Sequence, residues 1–107
     1  MAKRLHMILR SHHGALEMLT KTRGSNFKII LNNTPSMIKA IRILFKHILK
    51  NTLGMEQKHI DLLKPHRKYI RKIANGSNKA VKPVIQKGGS IFQTILSTVL
   101  PLVAAFI

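Results

Sequence analysis

The chain has 107 residues, enough for one small domain with a modest core, and its 19 Lys or Arg against three acids give a formal net charge of +16. That balance points to a dense anion as partner, such as nucleic acid or an anionic lipid surface. Zero cysteine excludes disulfides and thiolate metal sites. Three scattered carboxylates (Glu17, Glu56, Asp61) with no glycine-rich phosphate loop offer no catalytic arrangement, so the chain reads as a non-enzyme.

Residues 2–22 form the first predicted helix, with Leu5, Ile8, Leu9, Ala15, Leu16 and Leu19 on one arc and Lys3, Arg10, Glu17 and Lys21 opposite. His6, Arg10, His12 and His13 interrupt any apolar run near the start, so a signal peptide is not expected. Arg23-Gly24-Ser25-Asn26 reads as a stop and a cap, and Phe27-Lys28-Ile29-Ile30-Leu31, too short for its pattern to decide, as a short helix ending at Asn32-Asn33 with a strand as the second option. Thr34-Pro35 is a start signal, Thr as N-cap and Pro at the first helical position. The helix it opens runs to about residue 53, with Gly54 as the stop. Ile38, Ile41, Leu44, Phe45, Ile48, Leu49 and Thr52 share one face, and Lys39, Arg42, Lys46 and Lys50 form a ridge on the other.

A third helical stretch covers residues 56–74, kinked or split at Pro65. Past the proline, Lys64, Arg67, Lys68, Arg71 and Lys72 span an arc of roughly 140°. Asn75-Gly76 ends it, and Ser77 caps a short basic segment that Pro83 disturbs. No acid follows Asp61, so residues 62–87 carry eight Lys or Arg unopposed. Gly88-Gly89 then leads to 17 residues, 91–107, without any charge. At about 1.5 Å per residue they reach roughly 26 Å, a little short of a ~30 Å hydrocarbon core, so partial insertion or self-association fits better than a full span. Ser90, Gln93, Thr94, Ser97 and Pro101 give this segment a thin uncharged stripe along which it could self-associate.

The expected organisation is therefore residues 1–76 as a basic amphipathic helical domain, 77–89 as a basic linker and 90–107 as a hydrophobic C-terminal helix. The expected fold is all-α: three amphipathic helices in a small loose bundle plus the C-terminal helix after a Gly-Gly hinge.

Cations spaced by three and four residues can follow a phosphate row. The candidate nucleic-acid contacts are Lys39, Arg42, Lys46, Lys50, Lys64, Arg67, Lys68, Arg71, Lys72, Lys79, Lys82 and Lys87. No reader motif accompanies them, so binding to double-stranded DNA is expected without base preference. The candidate membrane contacts are Ile91, Phe92, Ile95, Leu96, Val99, Leu100, Leu102, Val103, Phe106 and Ile107. A helix that closes the core on the earlier apolar faces accounts for the same residues, and hydropathy does not separate the two readings. Six histidines suggest a response to pH rather than a metal site. His6, His13 and Glu17 share a face, but Arg10 shares it too and no second carboxylate is near in sequence.

Asn32-Asn33-Thr34-Pro35-Ser36 before Met37-Ile38-Lys39-Ala40-Ile41-Arg42, Lys64-Pro65-His66-Arg67-Lys68 before Ile70-Arg71-Lys72-Ile73-Ala74, and Val84-Ile85-Gln86-Lys87-Gly88-Gly89 before the apolar end follow a recognisable order. It resembles that of small basic proteins of Polinton (Maverick) transposons and the related adintoviruses and adomaviruses. These have been likened to adenoviral core protein X, the precursor of the mu peptide. The resemblance covers about two-thirds of the chain, and its most specific part is the Gln-Lys-Gly-Gly turn before a hydrophobic C-terminus. It implies a virion-associated protein of the virion and host nucleus that condenses double-stranded DNA and disturbs membranes during entry. Asn78, Ala80, Val81 and Pro83 stand where relatives tend to have an almost unbroken lysine run, which shifts the expected DNA contacts to the ridges at 39–50 and 64–72.

The leading expectation is a core protein packaging a viral or viral-like genome, its tail docked on capsid protein or membrane. The alternative is a membrane-active or tail-anchored protein whose basic helices lie on anionic lipid. A third reading is a capsid-cementing peptide whose cations bind acidic capsid loops.

Overall fold

Seven α-helices account for nearly all of the residues described by the computed structural model, which are 3–33, 35–50 and 55–104. They are α1 (Lys3–Lys21), α2 (Ser25–Asn33), α3 (Pro35–Leu49), α4 (Gln57–Leu63), α5 (Arg67–Asn75), α6 (Asn78–Lys87) and α7 (Gly89–Ala104), with a 3₁₀ turn at Lys64–His66 between α4 and α5. No strand occurs among the described residues. The expected cap at Thr34, Thr52 on the α3 face, the stop at Gly54, and Phe106 and Ile107 of the tail lie outside them, as do the side chains of Lys3, Leu5 and His6.

α3 is the hub. Met37, Ile38, Ala40, Ile41, Leu44, Phe45 and Ile48 are all buried along it, and α1, α2, α5 and α6 pack around it. An apolar surface this broad cannot be covered by one neighbour, so a helix that leaves only a narrow polar strip must sit centrally. α1 contributes Leu9, Leu16 and Leu19, and α2 contributes Phe27 and Leu31. Between those two helices Gly24 turns the chain with φ +64°, a left-handed conformation that costs glycine little and other L residues more.

The tail is part of this core. Phe92, Ile95, Leu96, Val99, Leu100 and Val103 of α7 are buried, and α7 lies against α1 and α6. Phe92 meets Phe27 edge-on and stacks on Phe45, both with ring centroids 5.9 Å apart, tying α2, α3 and α7 together. Gln93, read from the sequence as part of a stripe for self-association, works inside the molecule. Its Nε2 donates to the Leu19 carbonyl at 2.9 Å and to that of Thr22, satisfying two acceptors that the end of α1 leaves open.

Residues expected as a linker are helical. Ser77 caps α6 by accepting from the Ala80 amide at 3.2 Å, and Val81 and Ile85, four apart, are buried. Burial of that pair holds the helix although Pro83 removes one backbone donor. The Gly-Gly joint is also packed rather than slack. Gly88 donates its amide to Val84 at 3.0 Å and accepts from Phe92 at 2.8 Å, so α6 runs into α7 through a single residue. A Cβ at Gly88 would lie 2.5 Å from Tyr69 Cε2, whereas one at Gly89 would meet nothing within 4 Å. Gly88 is thus glycine because the Tyr69 ring of α5 occupies the space.

The radius of gyration is 12.6 Å, close to the roughly 13 Å expected for a compact chain of this length. The bundle is dense, not loose.

Candidate polyanion interface

The twelve candidate cations fall on α3, its Lys50 extension, the 3₁₀ turn, α5 and α6. α5 packs along α3 and α6 packs on both, so three separated stretches of sequence become neighbouring rods on one part of the molecule. α5 is the most polarised of them. Ile70, Ile73 and Ala74 are buried, while Arg67, Lys68, Arg71 and Lys72 are exposed one after another on the reverse side. Lys39, Lys46, Lys50, Lys64, Lys79 and Lys87 are exposed as well, and Lys82 is half-buried.

Charge neutralisation within the molecule is slight. Among the described residues no ion pair joins any of the twelve to a carboxylate; Glu56 pairs with Lys58 at 3.5 Å, and Asp61 accepts from Gln57 Nε2 at 2.9 Å. These cations therefore keep their full field toward solvent, where neighbours of like sign cost stability until a counter-ion or partner arrives.

Arg42 differs from the rest. Its guanidinium is half-buried, Nη1 donates to Asn78 Oδ1 at 2.6 Å, and Nε is buried with no partner. The sequence places Arg42 in the α3 ridge, but the fold turns it toward the start of α6, where it links the two helices. A spacing of three or four along one helix cannot reveal which neighbouring helix will cover a given position.

Tyr69, the lone tyrosine, sits among Lys68, Arg71 and Lys72 yet faces inward. Its hydroxyl lies 3.4 Å from the Val84 carbonyl and 3.5 Å from that of Gly88, and burial pushes its pKa well above the ordinary tyrosine range. It locks the cationic helix to the α6–α7 bend. Nothing in the local sequence shows that its partner is Gly88, 19 residues away. His47 on α3 has its pKa lowered, first by burial and then by the nearby Lys50. His12 Nε2 lies 3.3 Å from Ser36 Oγ, joining α1 to α3. His13 and Glu17 line a shallow depression with Ser97 and Pro101. Among the described residues no group of three or more His, Cys, Asp or Glu is placed to hold a metal ion.

Of the candidate membrane residues, Phe92, Ile95, Leu96, Val99, Leu100 and Val103 are buried, Leu102 is half-buried and Ile91 is exposed. No helix among the described residues is long and apolar enough to cross a membrane. No family model, curated protein or solved structure matches the chain.

Proposed function

We propose that this protein binds double-stranded DNA electrostatically, without base preference, and condenses it. The observation that carries the reading is the set of exposed Lys and Arg on α3, α5 and α6 with no carboxylate partners among the described residues, in a chain of net charge +16. Magnitudes favour condensation over mere attachment. The longest dimension is 34 Å, and duplex DNA carries one charge per about 1.7 Å of axis, so a molecule lying along it faces roughly 20 phosphate charges. A charge of +16 comes near to cancelling them, and nearly neutral duplexes no longer repel one another.

The resemblance to small basic proteins of Polinton and adintovirus-like elements makes a viral or viral-like genome the natural duplex, in a virion and host nucleus. In that setting α7 serves as the inner wall of the bundle that presents the cations. A role for its apolar residues on capsid protein or an anionic membrane would require α7 to leave the core.

Gel retardation of unrelated duplexes across a salt series tests the proposal. With the ten exposed cations of this interface engaged, log affinity falls against log salt with a slope of about −9, equal for every sequence, and retardation is gone by about 0.5 M salt. Retardation undiminished at that salt, or confined to one sequence, overturns it.

A further inference from the structure

α3, α4 and α5 do not close completely on one another. Between them lies an open cavity of about 330 Å³ whose wall is Ile48, Met55, Ile60, Leu63 and Ile70. Its size is at the lower end of small-molecule pockets, roughly 300–1,000 Å³. Lys64 and Arg67 line it as well, both exposed and neither paired with a carboxylate. Asp61, the acid on the same rim, already accepts from Gln57 Nε2, which also lines the cavity. The cavity therefore joins an apolar wall to a rim of two cations and one carboxylate, net positive.

We propose that this cavity binds a single-chain anionic amphiphile, with its hydrocarbon tail against Ile48, Ile60 and Ile70 and its anionic head on Lys64 and Arg67. The two halves of the site select for the two halves of such a ligand. Apolar walls gain from displacing water, and each methylene buried raises affinity about fourfold. The planar Arg67 guanidinium can take a carboxylate or sulfonate through two parallel hydrogen bonds, with Lys64 adding a point charge. A second copy of this chain is a poor occupant, since +16 repels +16. The small volume favours one hydrocarbon chain over two. The cavity shares Lys64 and Arg67 with the cationic ridge, so a bound head group would occupy two cations otherwise offered to phosphates.

The test uses the full chain without DNA, titrated with sodium octanoate and followed by calorimetry and methyl NMR. Hexanoate, acetate and octanol serve as comparisons. Expected is saturable one-to-one binding that shifts the methyls of Ile48, Ile60 and Ile70, with octanoate on the order of tenfold tighter than hexanoate. Acetate, which has the charge alone, gives no saturable heat, and octanol binds more weakly than octanoate. Ile60→Trp fills the cavity and abolishes binding. The pair Lys64→Gln and Arg67→Gln, at exposed positions that leave the fold intact, weakens octanoate about fivefold or more and leaves octanol unchanged. Shifts scattered over α1 and α7, equal affinity for hexanoate and octanoate, or an unaltered constant in the double Gln variant would each overturn the proposal.

Discussion

Gly88 shows how one position can be misread when only its type is known. Two adjacent glycines before an apolar run suggest a loose joint, because glycine is the residue that frees a backbone. The fold uses Gly88 for close approach instead, with the Tyr69 ring filling the place of a side chain. Gly88→Ala is therefore expected to cost about 1–3 kcal/mol as the half-buried Tyr69 ring is displaced. Gly89→Ala, with open space around its Cβ, is expected to stay within about 0.5 kcal/mol. Urea unfolding of the two variants separates them, and equal midpoints would show that Tyr69 does not hold the bend. Arg42 and Gln93 teach the same lesson. Each was legible as polar and helical, but Asn78 on α6 and the Leu19 and Thr22 carbonyls at the end of α1 are partners remote in sequence.

At the scale of the element, periodicity was a good guide to α1 and α3, whose apolar stripes are largely the faces that the structure buries, and to α5, whose predicted cationic arc is exposed. Ser25–Asn33, too short for its pattern to separate helix from strand, is helical, and the third stretch is split by a 3₁₀ turn around Pro65. The segment at 78–87 went unread as a packing element because only two of its residues, Val81 and Ile85, are buried and Pro83 lies between them. α5 bears most directly on function, since four exposed cations stand on it in nine residues. Replacing Lys68, Arg71 and Lys72 together with Gln is expected to lower the magnitude of the DNA salt slope by close to three, near 0.9 per lost contact. Affinity should fall equally for all duplexes while the helix persists, because Gln is a good helix former. The same change at Lys21 and Lys28, on α1 and α2, should leave the slope nearly unaltered. A slope indifferent to α5 would move the interface elsewhere.

For the whole molecule, charge and burial set the response to pH. The His47 pKa is lowered from its ordinary 6.5 by burial and Lys50, so below that value the unfolded chain takes up a proton more readily than the folded one. Stability is therefore expected to fall as pH drops through this window. His47→Gln should flatten this acid limb. Tyr69 is shifted the opposite way. Its folded pKa lies above the ordinary 10.0, so the unfolded chain loses its proton first, and stability falls as pH rises beyond about 10. Tyr69→Phe should remove that alkaline loss. Urea midpoints measured from about pH 5 to 11 check both signs, and a rise in stability toward acid would reverse the assignment of His47.

What the chain determined on its own was helical class, cationic excess and the faces that must leave water. These depend on residue type and local spacing, and spacing along one helix is fixed by its 3.6-residue turn. Which apolar face meets which was decided only by tertiary packing. An uncharged, largely apolar helix such as α7 suits a lipid phase as well as a protein interior, and hydrophobic burial has no direction of its own to choose between them. The choice fell to the complementary faces of α1, α2 and α3, where Phe27 and Phe45 receive Phe92 and bring the tail inside.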